Sequence, residues 1–288
     1  MSAQVNDVGL VKVPLLAAPD FGIDVEAITS TLSGPESKNI KLVYICSPGN
    51  PTGSLIRKKD IQKILEHPTW NGVVVLDEAY IDFAPKDSSL AEWVSEWPNL
   101  VVLQTLSKAF GLAGIRLGAA FTSEPIARLL NSLKAPYNIS NPTSEIASQA
   151  LQQQGLSVMR TNVEKIVDQR NRLLNELPKL KGIGRFRGGA ASNFLLVELL
   201  GTDGKPDNVT ALKVYEKLAE KRGVVVRFRG KEHGCLGCLR ITVGTEKEVT
   251  RFLREIDDVL QEVHAVGTSS TSVIEEERKE KLANAVIS

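Results

Sequence analysis

The chain has 288 residues, of which 42% are hydrophobic and 24% charged, and a formal net charge of +1. That length allows two domains with a sizeable core, while the near-zero charge gives nucleic acid or an anionic membrane surface nothing to grip. No apolar run approaches the ~18 residues of a membrane helix, the N-terminus lacks the pattern of a secretory signal, and three cysteines make no disulfide framework. A cytoplasmic, reducing location is expected.

The first predicted strand is Val8 to Leu15 (VGLVKVPL). Lys41 to Cys46 (KLVYIC) reads as a buried strand and ends in SPGNPTG, Ser47 to Gly53, whose prolines and glycines forbid helix and force a rigid turn presenting Asn50. An amphipathic helix is expected from about Leu55 to Glu66. Gly72 to Leu76 (GVVVL) is the next buried strand, and the sequence DEAYIDF follows at once. Asp77, Glu78 and Tyr80 therefore fall at the C-terminal edge of a parallel strand, where open α/β sheets bind ligands. A helix near Ser89 to Glu96 and a third strand, Leu100 to Leu103, lead into TLSKAFGLAGIRLG, Thr105 to Gly118.

Strands that are continuous apolar runs alternating with helices predict a mostly parallel sheet covered on both faces, hence an α/β domain. A strand at Leu117 to Thr122 and helices at Glu124 to Leu133, Thr143 to Gln153 and Leu156 to Leu177 follow, with Pro178 ending the last. Beyond it, strand (Asn193 to Leu199), helix (Val209 to Arg222), strand (Val224 to Phe228), strand (Cys238 to Val243) and helix (Glu246 to Val263) form an α+β unit. The expected domains are a large one over residues 1–155, a connecting helix over 156–178, a small C-terminal domain over 179–265 and a tail over 266–288 that is disordered or a loose helix.

The lysine motif carries the chemistry. Lys108 is the kind of side chain that forms a Schiff base with an aldehyde cofactor, and Ser107 and Arg116 could hold a phosphate on either side of it. Pyridoxal phosphate also needs a carboxylate against its pyridine nitrogen. Asp77 suits that role, although a helix N-cap is the alternative reading. Tyr80 and Asn50 offer donors to the ring's phenolate oxygen, and Tyr80 could instead be core filler. Arg116, flanked by Gly114, Ile115, Leu117 and Gly118, should have a partner if its surroundings are apolar. Asn50, Asp77 and Lys108 stand about one βα unit apart.

SPGNPTG, DEAYIDF and TLSKAFGLAGIRLG, in this order, resemble the fold type I aminotransferases. With GVVVRFRG and GCLGCLRITVGT they are similar to the fungal-type histidinol-phosphate aminotransferase branch, from about residue 5 to about residue 262. The resemblance implies a pyridoxal 5'-phosphate enzyme of histidine biosynthesis. It would exchange an amino group between histidinol phosphate and 2-oxoglutarate as a homodimer. It puts Lys108, Asp77 and Tyr80 in catalytic roles, Asn50, Ser107 and Arg116 on the cofactor, and Arg227 and Arg240 on the anionic groups of the substrates. Read from residues alone, either arginine could equally form an internal salt bridge, and Arg229 is the decoy on the same strand. An aminotransferase for aromatic amino acids, a phosphothreonine decarboxylase, or a non-catalytic fragment pairing with a full-length subunit are the rival readings.

Two further expectations concern what departs from the family. Met1 falls inside the large domain, so the chain is expected to be N-terminally truncated, with an incomplete large domain and impaired cofactor binding and turnover. His233, Cys235 and Cys238 (HGCLGC) offer three potential ligands but no second pair, so a strand-turn segment is expected there rather than a metal site.

Overall fold

The computed structural model describes the backbone of residues 2–285 and the side chains of residues 3–265. The chain divides into two compact units, one of residues up to Val163 with Gly188–Ser192, the other of Glu164–Arg187 and the residues from Asn193 on.

After a single helical turn, Ser2–Val5, the first unit continues with α1 (Val25–Ser33), whose first turn is capped by Asp24 accepting the Ala27 amide at 2.9 Å. Next come β1 (Leu42–Cys46), α2 (Lys58–Leu65), β2 (Val73–Asp77), β3 (Leu100–Thr105) and β4 (Gly118–Thr122). They form a sheet of order β1-β2-β3-β4, in which the first three strands are parallel and β4 runs antiparallel to β3. In register, Cys46 faces Asp77 and Asp77 faces Leu103. Because side chains alternate across a strand, one face carries Ile45, Val74, Leu76, Leu100 and Val102, which pack with Leu32 of α1 and Ile61 and Ile64 of α2 into a continuous core. Each such side chain, once fully buried, contributes roughly 1.5–3 kcal/mol. The other face carries Tyr44, Cys46, Val75, Asp77, Leu103 and Thr105, and holds the candidate site.

Three expectations need correction. β1 is not a buried strand: Leu42 is 51% and Tyr44 53% exposed, because β1 is the edge of the sheet and only its inner face meets the core. Val8 to Leu15 forms no strand beyond a single bridge from Leu15 to Ile23, and Val8, Leu10 and Val11 are exposed. The helix expected near Ser89 to Glu96 is a 3-10 turn, Ala91–Ser95.

Helices α3 (Glu124–Ser132), α4 (Asn141–Ala150) and α5 (Gln153–Glu176) follow, and the division between the units falls inside α5. The second unit contains β5 (Ile183–Phe186), β6 (Phe194–Leu199), α6 (Asn208–Arg222), β7 (Arg227–Phe228), β8 (Cys238–Thr242) and α7 (Glu246–Ala285). Its sheet is antiparallel, of order β5-β6-β8-β7. Every residue of β6 is buried, and its one charge, Glu198, is offset by Arg185 at 3.1 Å and Arg187 at 3.4 Å. Asp207 caps α6 by accepting the Val209 and Thr210 amides, and Gly223 ends it in the left-handed region. Val214 and Leu218 of α6 and Ile256, Val259 and Leu260 of α7 are core residues.

Strand β5 was not among the expected elements, and the strand expected from Val224 is confined to Arg227–Phe228. The tail from residue 266 is not disordered as far as Ala285: its backbone continues helix α7, the loose-helix alternative, and residues 286–288 lie outside the described residues. No helix among the described residues is long and apolar enough to cross a membrane.

Candidate active site

The SPGNPTG turn follows β1 and is held by backbone contacts. Gly189 N–H donates to the Thr52 carbonyl at 3.0 Å and Ala191 N–H to the Gly53 carbonyl at 3.1 Å. Two glycines make this approach possible. A Cβ on Gly53, whose φ is +65°, would lie 2.7 Å from the Gly189 carbonyl oxygen, and one on Gly188, with φ +83°, would lie 2.1 Å from that of Thr52. Thr52 and Ser54 are buried, whereas Asn50 is left exposed at the tip. A groove of about 350 Å3 along β1 includes Tyr44, Cys46, Gly49 and Asn50 in its walls. Neither Asp77 nor Lys108 lines it; of the expected site residues only Asn50 does.

Asp77 is the last residue of β2 and is half-buried. Its Oδ1 accepts the Ala79 amide at 3.1 Å and its Oδ2 accepts the Tyr44 hydroxyl at 2.6 Å. It caps no helix, since the next helical residues are the 3-10 turn Ile81–Phe83, preceded by Tyr80. Burial, then the hydrogen bond to Asp77, shifts the Tyr44 hydroxyl strongly upward, so it stays a proton donor. Cys46 is exposed at the sheet edge, yet local desolvation, followed by the charge of Asp77, pushes its thiol up to about 11. The neighbouring carboxylate of Glu78 has a different task. It is 1% exposed and accepts hydrogen bonds from Ser89, Leu90 and Gln104.

Lys108 follows β3 and is itself exposed, between the buried Leu106 and Ala109, with its Nζ 5.5 Å from the centroid of the Tyr80 ring. The half-buried Tyr80 is thus a ring against which the lysine lies, not core filler. Ser107 is tied to Thr105, whose hydroxyl accepts the Ser107 amide at 3.1 Å and donates to Ser107 Oγ at 3.0 Å. Arg116 departs from expectation. Its flanks are not apolar surroundings, for the side chain is exposed and donates to the Ala113 carbonyl at 3.1 Å. Its backbone is left-handed, with φ +57°, a conformation uncommon outside glycine.

In the second unit, Arg227 of β7 and Arg240 of β8 stand directly opposite each other. The Arg240 guanidinium lies 5.0 Å from the Phe194 ring centroid. Arg229 is engaged by Glu232 at 2.8 Å. Cys238 N–H donates to the Cys235 carbonyl at 3.0 Å, making C-x-x-C a hydrogen-bonded turn into β8 with both thiols free and buried.

The reading from sequence missed Tyr44 and Thr105. Only register could have found them, because both sit on the strand face that bears Asp77, at positions that look like strand filler.

The profile of the family "Aminotransferase class I and II" matches residues 1–256. The chain is 53% identical to histidinol-phosphate aminotransferase of Schizosaccharomyces pombe over 92% of its own length and 68% of that protein's. It is 46% identical to that of Saccharomyces cerevisiae over 90% of its own length and 65% of that protein's. It thus spans about two thirds of the length of these relatives. A crystal structure of histidinol-phosphate aminotransferase from Sinorhizobium meliloti in complex with pyridoxal-5'-phosphate superimposes with a TM-score of 0.77 at 25% identity, covering 91% of this chain and 67% of that one. The chain belongs to the class I and II aminotransferases.

Proposed function

We propose that this protein is a pyridoxal phosphate-dependent aminotransferase that moves an amino group from histidinol phosphate to 2-oxoglutarate. The observation that carries the reading is the arrangement at the strand ends of the first unit. Lys108 lies against the Tyr80 ring, three residues on from an Asp77 carboxylate already fixed by two donors. The named relatives support the choice of substrate.

The donor set fits this cofactor. Asp77 has one donor on each oxygen and keeps acceptor capacity for another. The lysine amine is exposed, and Ser107 and Arg116 stand in the same loop. Pyridoxal phosphate, when bound, supplies an electron sink for the charge that develops at the substrate α-carbon. Lys108 would hold the aldehyde, and its Nζ would then take the proton from the α-carbon and return it. Asp77 would hold a proton at the ring nitrogen, since an ionised carboxylate beside that nitrogen favours its charged form. Tyr80 and Asn50 would donate to the phenolate oxygen, and Ser107 and Arg116 would hold the phosphate.

Arg227 and Arg240 would bind the anionic groups of the amino donor and the 2-oxo acid acceptor. Their paired positions on adjacent strands support that reading. We infer a homodimer working in the cytoplasm, by analogy with the family.

The test is borohydride reduction of the chain with pyridoxal phosphate, followed by peptide mapping, with turnover of histidinol phosphate compared with phenylalanine. Cofactor fixed on Lys108 and preference for histidinol phosphate support the reading. Cofactor fixed elsewhere, or on no residue, overturns it.

A further inference from the structure

Tyr44 is placed like a functional residue rather than a structural one. Its side chain is 53% exposed, so the ring adds little to the core. Its hydroxyl is nonetheless committed to Asp77 Oδ2 at 2.6 Å, a short contact typical of a hydroxyl donating to a carboxylate. An exposed hydrogen bond of this kind contributes little to folding. What it does is fix the orientation of a carboxylate.

The geometry follows from register. Cys46, not Tyr44, faces Asp77 across the β1–β2 pair, and Tyr44 faces Val75. Tyr44 lies two residues back on the same sheet face, ~6.6 Å of strand rise. A phenol spans that distance along the sheet and puts its oxygen at the strand end; an aliphatic residue there would not. The second oxygen of Asp77 is held by the Ala79 amide at 3.1 Å. The carboxylate is therefore gripped from both sides, by β1 through a side chain and by its own loop through the backbone.

We infer that Tyr44 is a positioning residue, whose hydroxyl holds the Asp77 carboxylate in the orientation that receives the protonated ring nitrogen of the cofactor. The inference rests on the cofactor reading given above. The Tyr44 hydroxyl is shifted well above its ordinary value, first by local desolvation of the hydroxyl and then by its hydrogen bond to the carboxylate. It therefore donates throughout the working pH range and does not exchange roles with Asp77.

The test is a double-mutant cycle on the full chain: wild type, Tyr44→Phe, Asp77→Asn and the double variant. Two quantities are read for each: the dissociation constant for pyridoxal phosphate by difference absorbance, and the pH midpoint of the visible band of bound cofactor. Thermal melting confirms that each variant folds. Tyr44→Phe is expected to weaken binding by ~3–10-fold and to move the pH midpoint, while adding nothing in the Asp77→Asn background. Unchanged or tighter binding by Tyr44→Phe, or an equal loss with and without Asp77, would overturn the role of Tyr44. Wild-type chain whose Lys108 takes no borohydride-fixed cofactor would instead overturn the cofactor reading, and this inference with it.

Discussion

Glu78 and Ser89 meet at 2.6 Å across the loop that follows β2, and the same carboxylate accepts the Leu90 amide at 2.7 Å and the Gln104 side-chain amide at 2.9 Å. A carboxylate only 1% exposed is tolerated because its charge is met by three donors. The contacts tie β2, the loop and β3 together beneath Asp77 and Tyr80. Glu78→Ala leaves those donors unsatisfied, and we expect a loss of ~2–4 kcal/mol of stability, read as a lower urea midpoint. Glu78→Gln retains the volume but can turn only one oxygen to three donors, and should fall between the two. Wild-type stability in Glu78→Ala would show that the loop does not depend on this carboxylate.

Lys108 is exposed, and its contact is with the ring of Tyr80. Removing it should therefore cost little stability, within ~0.5 kcal/mol as for other surface positions. Catalysis should suffer far more. Lys108→Ala is expected to lower turnover by ~1,000-fold or more, the scale of losing a positioned acid–base group together with a covalent anchor. Lys108→Arg keeps the charge over Tyr80 but cannot form the Schiff base, and should be equally inactive. Activity in either variant would require another amine to do the work.

Cys46 offers a chemical probe of the same sheet face. It is the exposed one of the three cysteines, Cys235 and Cys238 being buried, so iodoacetamide should label it first. Its thiol is pushed up to about 11, by desolvation and then by Asp77. The raised value means less thiolate: below pH 8 alkylation should run ~100-fold slower than for a free thiol, and accelerate as pH climbs toward 11. Asp77→Asn removes the repelling charge, so the midpoint should drop and the rate at pH 8 rise. The alkylation rate against pH in the two proteins checks both the sign and the proximity.

Much of this site was legible in the sequence because parallel strands end where polar residues interrupt an apolar run. Val73 to Leu76 giving way to Asp77, and the run from Leu100 giving way to Ser107 and Lys108, mark strand ends in one dimension as well as three. Asp207 and Gly223 likewise announce the two ends of α6. What stayed hidden depends on neighbours in space. The run Leu42–Cys46 is as apolar as the strands beside it, and nothing local says that it is an edge with Leu42 and Tyr44 in the open. β5 is four residues long with a glycine and an arginine inside, too short for a period to emerge. The hydroxyl of Tyr44 finds Asp77 only through register, a relationship between strands that no single segment encodes.

Arg229 and Arg240 of the second unit can be told apart by experiment as an internal ion pair and a ligand contact. Arg229 is engaged by Glu232 at 2.8 Å, and such a partly exposed pair contributes little to stability. Arg240 lies over the Phe194 ring and stands opposite Arg227 on β7. If that pair receives the anionic end of the substrate, Arg240→Lys should be a severe change, because an ammonium gives neither a planar fork nor the same stacking. Losing one charge-assisted bond at ~1.5–3 kcal/mol raises the dissociation constant for histidinol phosphate by roughly 10–100-fold. kcat at saturation should change less. Arg229→Ala should leave affinity within about twofold, its guanidinium being already occupied. Calorimetric titration of the variants decides the matter: affinity lost in Arg229→Ala but kept in Arg240→Lys would reverse the assignment and make Arg240 the structural residue.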